Sequence, residues 1–266
     1  MPVPLLQHKR YDVPSAFTPD ALLREARRQK GLEVQNVPAV CVLDPDADLV
    51  RRLRDDGRAQ IDRSWACYHT DLYRACVGGL ELGLLGCAVG APFAVLVAEE
   101  LFASGCQLLI SITSAGQLVE LHPPPYFVLI EKALRDEGTS YHYLPASEFS
   151  AADPALLSLL EGGFDGIGVA VERGATWTTD APFRETDDAI TRMKSIGLLA
   201  VEMEAAALYA FASARGKAVL CFAHVTNQMG RIGQDFEKGE ADGSVSSLAV
   251  IRRVAAVLLP SLRTTG

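Results

Sequence analysis

The segment Val201-Glu202-Met203-Glu204-Ala205-Ala206-Ala207-Leu208-Tyr209 sets two carboxylates between apolar runs. The residues before it read as a buried strand, Leu198 to Val201. Those after it read as an alanine-rich helix, Glu204 to Arg215, closed by Gly216. Charge at such a junction is costly unless it is paired or faces a polar cleft. The free N–H groups of a helix start compensate in part, because they favour an anion. Pattern leaves two readings open: both carboxylates cap the helix, or they point into a cleft. Being two apart, Glu202 and Glu204 need not share a role.

Other chemistries lack their residues. There is no phosphate-cradling GxxxxGK[ST] loop and no GxGxxG after a strand, and Gly166-Ile167-Gly168 lacks the third glycine. No GxSxG elbow is present. The histidines His8, His69, His122, His142 and His224 show no zinc spacing, and His69-Thr70-Asp71 reads as a structural group. Cys41, Cys67, Cys76, Cys87, Cys106 and Cys221 form no CxxC pair. They read as reduced thiols, which fits a cytoplasmic location. Neither metal nor cofactor is expected.

The elements that would position these groups follow from periodicity and breakers. A helix is expected over 19–30, capped by Thr18 and closed by Gly31. Val37 to Leu43 reads as a buried strand, and Asp44-Pro45 as the cap of a helix to about Asp56. Leu80 to Val89 reads as strand, Pro92 to Gly105 as an apolar helix, and Leu108 to Ile112 as strand. Pro123 to Pro125 are expected to lead into a helix ending near Gly138. Further strands are expected at Ile167–Val171 and Ala218–Val225, and helices at 185–196 and Ser244–Leu259. This alternation implies an α/β fold, a central mixed sheet covered by helices on both faces. Ligands in such sheets sit beyond the carboxyl ends of the strands.

The chain has 266 residues, enough for one domain over 1–266 with an N-terminal extension over 1–36. The net charge of −8 argues against binding to nucleic acid or acidic lipid. The N-terminus has no signal-type apolar core, and the apolar run Cys87–Ala98 is too short to span a bilayer. No membrane association is expected.

The 201–209 segment resembles the signature of the nucleoside phosphorylase family, which includes purine nucleoside and uridine phosphorylases and related nucleosidases. The resemblance implies a single-domain three-layer αβα fold. It implies that Met203 packs on a ribose, that Glu204 accepts bonds from its hydroxyls, and that Glu202 lines the same cleft. Ala88-Val89-Gly90-Ala91-Pro92 resembles the family's glycine turn, with Val89 against the sugar. Thr113-Ser114-Ala115-Gly116 resembles the turn that binds the nucleophile. Gly174-Ala175-Thr176-Trp177-Thr178-Thr179-Asp180 resembles a loop whose aromatic residue stacks on the base, giving Trp177 and Thr178 to base binding. Val225-Thr226-Asn227 resembles the Ser-Asp pair that holds a purine. The catalytic set implied is Glu204, Asn227 and Ser114. The chemistry is coherent, since breaking a ribosyl C–N bond builds positive charge on the sugar and negative charge on the base.

Two departures stand out. The family's Gly-Asp-Pro-x-Arg phosphate loop is Leu43-Asp44-Pro45-Asp46-Ala47 here, and Ser111 replaces a second arginine. Asp46 would repel phosphate. Arg231, His8, Lys9 and Arg10 are the substitute cations to consider, the last three from a neighbouring subunit. Asn227 replaces an aspartate, so it can donate and accept hydrogen bonds but cannot act as an acid. The reading is cleavage of a nucleoside, nominally by phosphorolysis with phosphate as co-substrate. The alternatives are a hydrolytic nucleosidase, a non-catalytic nucleoside-binding relative, and an unrelated α/β enzyme. A homo-oligomer, dimer or hexamer, is implied, with His8 donated across to the ribose.

Overall fold

In the computed structural model, residues 3–229 and 235–262 are described. Ten strands form one mixed sheet. They are β1 (Val40–Asp44), β2 (Ala59–Ile61), β3 (Tyr73–Val77), β4 (Leu80–Gly86), β5 (Leu108–Gln117), β6 (Tyr126–Asp136), β7 (Phe149–Ala151), β8 (Val171–Thr179), β9 (Leu198–Glu202) and β10 (Ala218–Asn227). The order runs β10-β6-β8-β9-β5-β1-β4-β3-β2, with β7 beside β6. Because β10 also pairs with β5, strands β5, β10, β6, β8 and β9 close into a ring. The remaining strands extend from it through β1.

Helices α1 (Pro19–Lys30), α3 (Ala91–Ala103) and α6 (Ala205–Arg215) pack together, α1 on α3 and α3 on α6. Helices α2 (Asp48–Asp55) and α7 (Ser244–Leu262) contact each other and the β1–β5 part of the sheet. Short α4 (Pro154–Leu159) rests on α7, and α5 (Asp187–Ser195) on β9. Every residue from Ala205 to Phe211 is buried. The alanines give α6 no bulk on the facing side, so it seats closely on β6, β7 and β10. Helix α7 has the length and apolarity to cross a membrane. Here it covers the core instead, burying Val250, Ile251, Val254 and Leu258.

Several local expectations are corrected. The segment after Pro125 is strand β6, not helix. Its Tyr-Phe-Val-Leu-Ile start is buried throughout and hydrogen-bonded on both edges, to β8 and β10. Tertiary pairing outweighs the helical propensity of its Glu-Lys-Ala-Leu end. The strand expected at 167–171 begins only at Val171, and the expected 174–180 loop is mostly strand β8. The Thr113–Gly116 turn is likewise the continuation of β5. The Asp44 cap is observed in altered form: its Oδ2 accepts the Val50 N–H at 2.9 Å, inside the first turn of α2.

Candidate active site

The site gathers where β5 and β9 end and α3 and α6 begin. Glu204, just before α6, is 1% exposed and makes no capping bond to its own helix. Its Oε1 accepts the Gly90 N–H at 2.7 Å, and its Oε2 accepts the Thr113 hydroxyl at 2.8 Å. One carboxylate therefore joins three segments distant in sequence. Burial pushes its pKa up to about 7, helped by the neighbouring Glu202 charge and opposed by the two hydrogen bonds. A carboxyl titrating there can exchange a proton or carry charge at neutral pH.

Glu202 plays a different part from the one expected. Its Oε2 accepts the N–H groups of Glu204 and Ala205, each at 2.7 Å. Its Oε1 takes the hydroxyls of Thr176 and Thr178. Burial raises its pKa while these four donors hold it down. It lines no cleft; it is the buried cap of α6 and fixes the approach of Glu204. Thr178 is corrected with it. That side chain is fully buried, donating to Glu202 and accepting the Ala206 N–H at 2.9 Å. Trp177 is corrected too. It is a strand residue buried with Leu118, Ile190, Leu198 and Val201, and its Nε1–H donates to Asp136 at 2.9 Å. Packing and that bond account for its ring, and no loop presents it for stacking.

Met203 is half-buried beside Glu204, and Val89 is half-exposed beside Gly90. Asn227 ends β10. Its Oδ1 accepts the Met229 N–H at 3.0 Å, and its Nδ2 donates to the Ala115 carbonyl at 3.3 Å. A Cβ on Gly116 would lie 2.2 Å from the Met229 sulfur, so any side chain there would displace that thioether. Met229 was not singled out by sequence; nothing in its local pattern marks it.

The two residues of the expected nucleophile turn divide. Thr113 bonds Glu204, whereas Ser114 lines a small separate chamber with Asp44, Asp46, Asp48, His224 and Ser244. Its volume is about 20 Å³, room for roughly one water. His224 is stacked on Phe127 at 4.4 Å between ring centres, and its Nε2 has no hydrogen-bond partner. The Ser244 hydroxyl has none either. Burial, reinforced by Lys238, lowers the His224 pKa to about 4, leaving the ring neutral. Asp44 is raised to about 7 by burial and by Asp48 and Asp46. Gly243 is needed here, since a Cβ would sit 2.3 Å from the His224 ring.

Lys238 reaches back across the whole sequence to this chamber's acidic side. Its Nζ lies 2.7 Å from Asp46 and also bonds Asp48. Of the cations expected for phosphate, those of the N-terminal segment were to come from a neighbouring subunit; within one chain they stand as follows. Lys9 contacts His142 at 2.7 Å, and Arg10 pairs with Asp12 at 3.1 Å. His8 is exposed, on an N-terminal segment held against the 140–142 turn. Among the described residues no hydrogen bond joins it to Glu204. Arg231 lies outside the described residues. Among the described residues no cluster of His, Cys, Asp or Glu could hold a metal ion.

Comparison with known proteins places this geometry. A guanosine phosphorylase from Halorubrum lacusprofundi is 27% identical over 54% of this chain and 60% of its own length, less than two thirds of that relative. A uridine phosphorylase from Thermococcus kodakarensis is 26% identical over 68% of this chain and 70% of its own length. The fold matches a crystal structure of uridine phosphorylase from Vibrio fischeri ES114 with a TM-score of 0.69, at 22% identity, over 83% of this chain and 90% of that one. The family profile of the phosphorylase superfamily matches residues 40–259. That span takes in every segment meeting at Glu204, and the chain belongs to the phosphorylase superfamily.

Proposed function

We propose that the protein cleaves the N-glycosidic bond of a nucleoside and that water is the acceptor. Cleavage is supported by family membership and by the Gly90–Glu204–Thr113 junction, with Met203 beside it. In this reading Glu204 holds the ribose hydroxyls and offsets the positive charge that grows on the sugar. The C1′–N electron pair leaves with the base, which takes up a proton from solvent. Asn227 orients the base by hydrogen bonds and supplies no proton. The water oxygen bonds to C1′ and releases its proton to Asp44, which lines the chamber shared with Ser114.

The observation that favours water is the charge at the nucleophile end. Asp44, Asp46 and Asp48 stand there, and the cations beside them among the described residues are already held, Lys238 by Asp46 and Asp48 and Arg51 by Asp48. Phosphate would meet cations already paired and the further carboxylate of Asp44. The second reading is phosphorolysis, and the names of the relatives favour it.

The test is base release from a nucleoside panel, with and without phosphate in an otherwise phosphate-free buffer. Release independent of phosphate, yielding free ribose, is the expected result. Release that requires phosphate and yields ribose 1-phosphate gives the second reading. Binding without release makes the protein a non-catalytic relative. Assembly into a homo-oligomer belongs to the same proposal, supported by the exposed apolar Leu6, Val89, Leu96 and Phe183.

A further inference from the structure

The chamber beside Ser114 has features that helix capping does not require. Two of the residues lining it carry a buried polar atom without a hydrogen-bond partner among the described residues, Nε2 of His224 and Oγ of Ser244, on residues 5% and 2% exposed. Buried polar atoms of this kind are normally satisfied by protein or by ordered water. On the acidic wall, Asp46 and Asp48 belong to the β1–α2 turn, while Lys238 comes from the segment before α7. Nothing in the fold's core depends on that pair, whose side chains remain 15% to 31% exposed.

We infer that Asp46 and Asp48 are a nucleophile filter: by engaging Lys238 they keep a half-buried neighbouring cation from an anion and reserve the chamber beside Ser114 for water. This deepens the hydrolytic reading above and rests on it. An entering phosphate needs a free cation and meets one already neutralised, with a carboxylate in excess. Water needs only the hydrogen-bonding atoms that His224, Ser244 and Ser114 offer. The filter acts on the choice between two balanced reactions. In one, water oxygen bonds C1′, the base departs with the C1′–N pair, and free ribose forms. In the other, a phosphate oxygen makes that bond and ribose 1-phosphate forms.

The deciding experiment is titration with inorganic phosphate by calorimetry, comparing wild type with Asp46→Asn/Asp48→Asn. The expected gain in phosphate affinity is about 5- to 150-fold, the usual range for coupled sites. Adding Lys238→Met to that variant should abolish the gain, because Lys238 is then the group that binds. Product partition between ribose and ribose 1-phosphate should move toward the phosphate ester in the double variant. A double variant that melts like wild type but gains no phosphate affinity overturns the inference. So does a wild type that already binds phosphate as tightly as the variant. If the double variant does not fold, Asp46→Asn alone is titrated, with a smaller gain expected and no gain counting against the filter. Absence of nucleoside turnover in wild type refutes the hydrolase reading, while the phosphate titration still decides the filter.

Discussion

Replacing Glu204 with glutamine should stabilise the protein above neutral pH while disabling it. The carboxyl titrates at about 7 in the fold against an ordinary 4.5, so between those values the folded state binds more protons than the unfolded one. A raised acid contributes stability below its unfolded pKa and loses it as pH rises through the folded value. At about 1.4 kcal/mol per pH unit, Glu204 costs wild type about 3 kcal/mol between pH 4.5 and 7. Glutamine does not titrate. Its carbonyl can accept the Gly90 N–H now 2.7 Å from Oε1, and its amide can donate to the Thr113 hydroxyl now 2.8 Å from Oε2. The shape is kept, and the Thr113 O–H that now donates to Oε2 can turn to the Ser114 carbonyl 3.4 Å away. Urea unfolding at a series of pH values should therefore show the stability of Glu204→Gln, relative to wild type, rising by about 3 kcal/mol from pH 4.5 to 7.5 and then levelling. Turnover should fall by about 10²–10³, the usual loss for a removed charge-stabilising group. A stability difference that is flat with pH would refute the argument, because the carboxyl would then not be titrating as its burial requires.

Three further outcomes follow from the same packing. Glu202→Ala strands the N–H groups of Glu204 and Ala205 inside the protein, and should cost about 3–5 kcal/mol by urea midpoint. Trp177→Phe keeps most of the ring's packing and removes the bond to Asp136. It should cost about 2 kcal/mol and move nucleoside affinity by less than about twofold, whereas a stacking tryptophan would cost far more affinity. Gly116→Ala drives a methyl into the Met229 sulfur and should destabilise by about 1–3 kcal/mol. Met229→Ala in the same chain should recover part of that loss, read as a coupling of about 1 kcal/mol in a double-mutant cycle.

Local sequence carried much of the fold. Helices α1 and α6 were legible because caps and breakers mark them: Thr18 and Gly31 for the first, Gly216 for the second. Strand β6 was not, because its Pro-Pro-Pro entry and Glu-Lys-Ala-Leu end carry helix-like signals. Only its pairing with β8 and β10 decides otherwise. The small strands β2 and β3 left no signal stronger than their turns.

The importance of the 201–209 segment was fixed by sequence alone, since two carboxylates at a strand-to-helix junction demand an explanation under any fold. Sequence also fixed what the phosphate loop lacks, because a missing arginine is visible without coordinates. It could not assign the two glutamates. Capping and cleft readings use the same residues, and only the third dimension shows that Thr176 and Thr178 close around Glu202 while Gly90 and Thr113 converge on Glu204. Nor could it find Lys238 or His224 as neighbours of Asp46 and Ser114. Those contacts are made between strands and loops far apart along the chain, and no local periodicity encodes them.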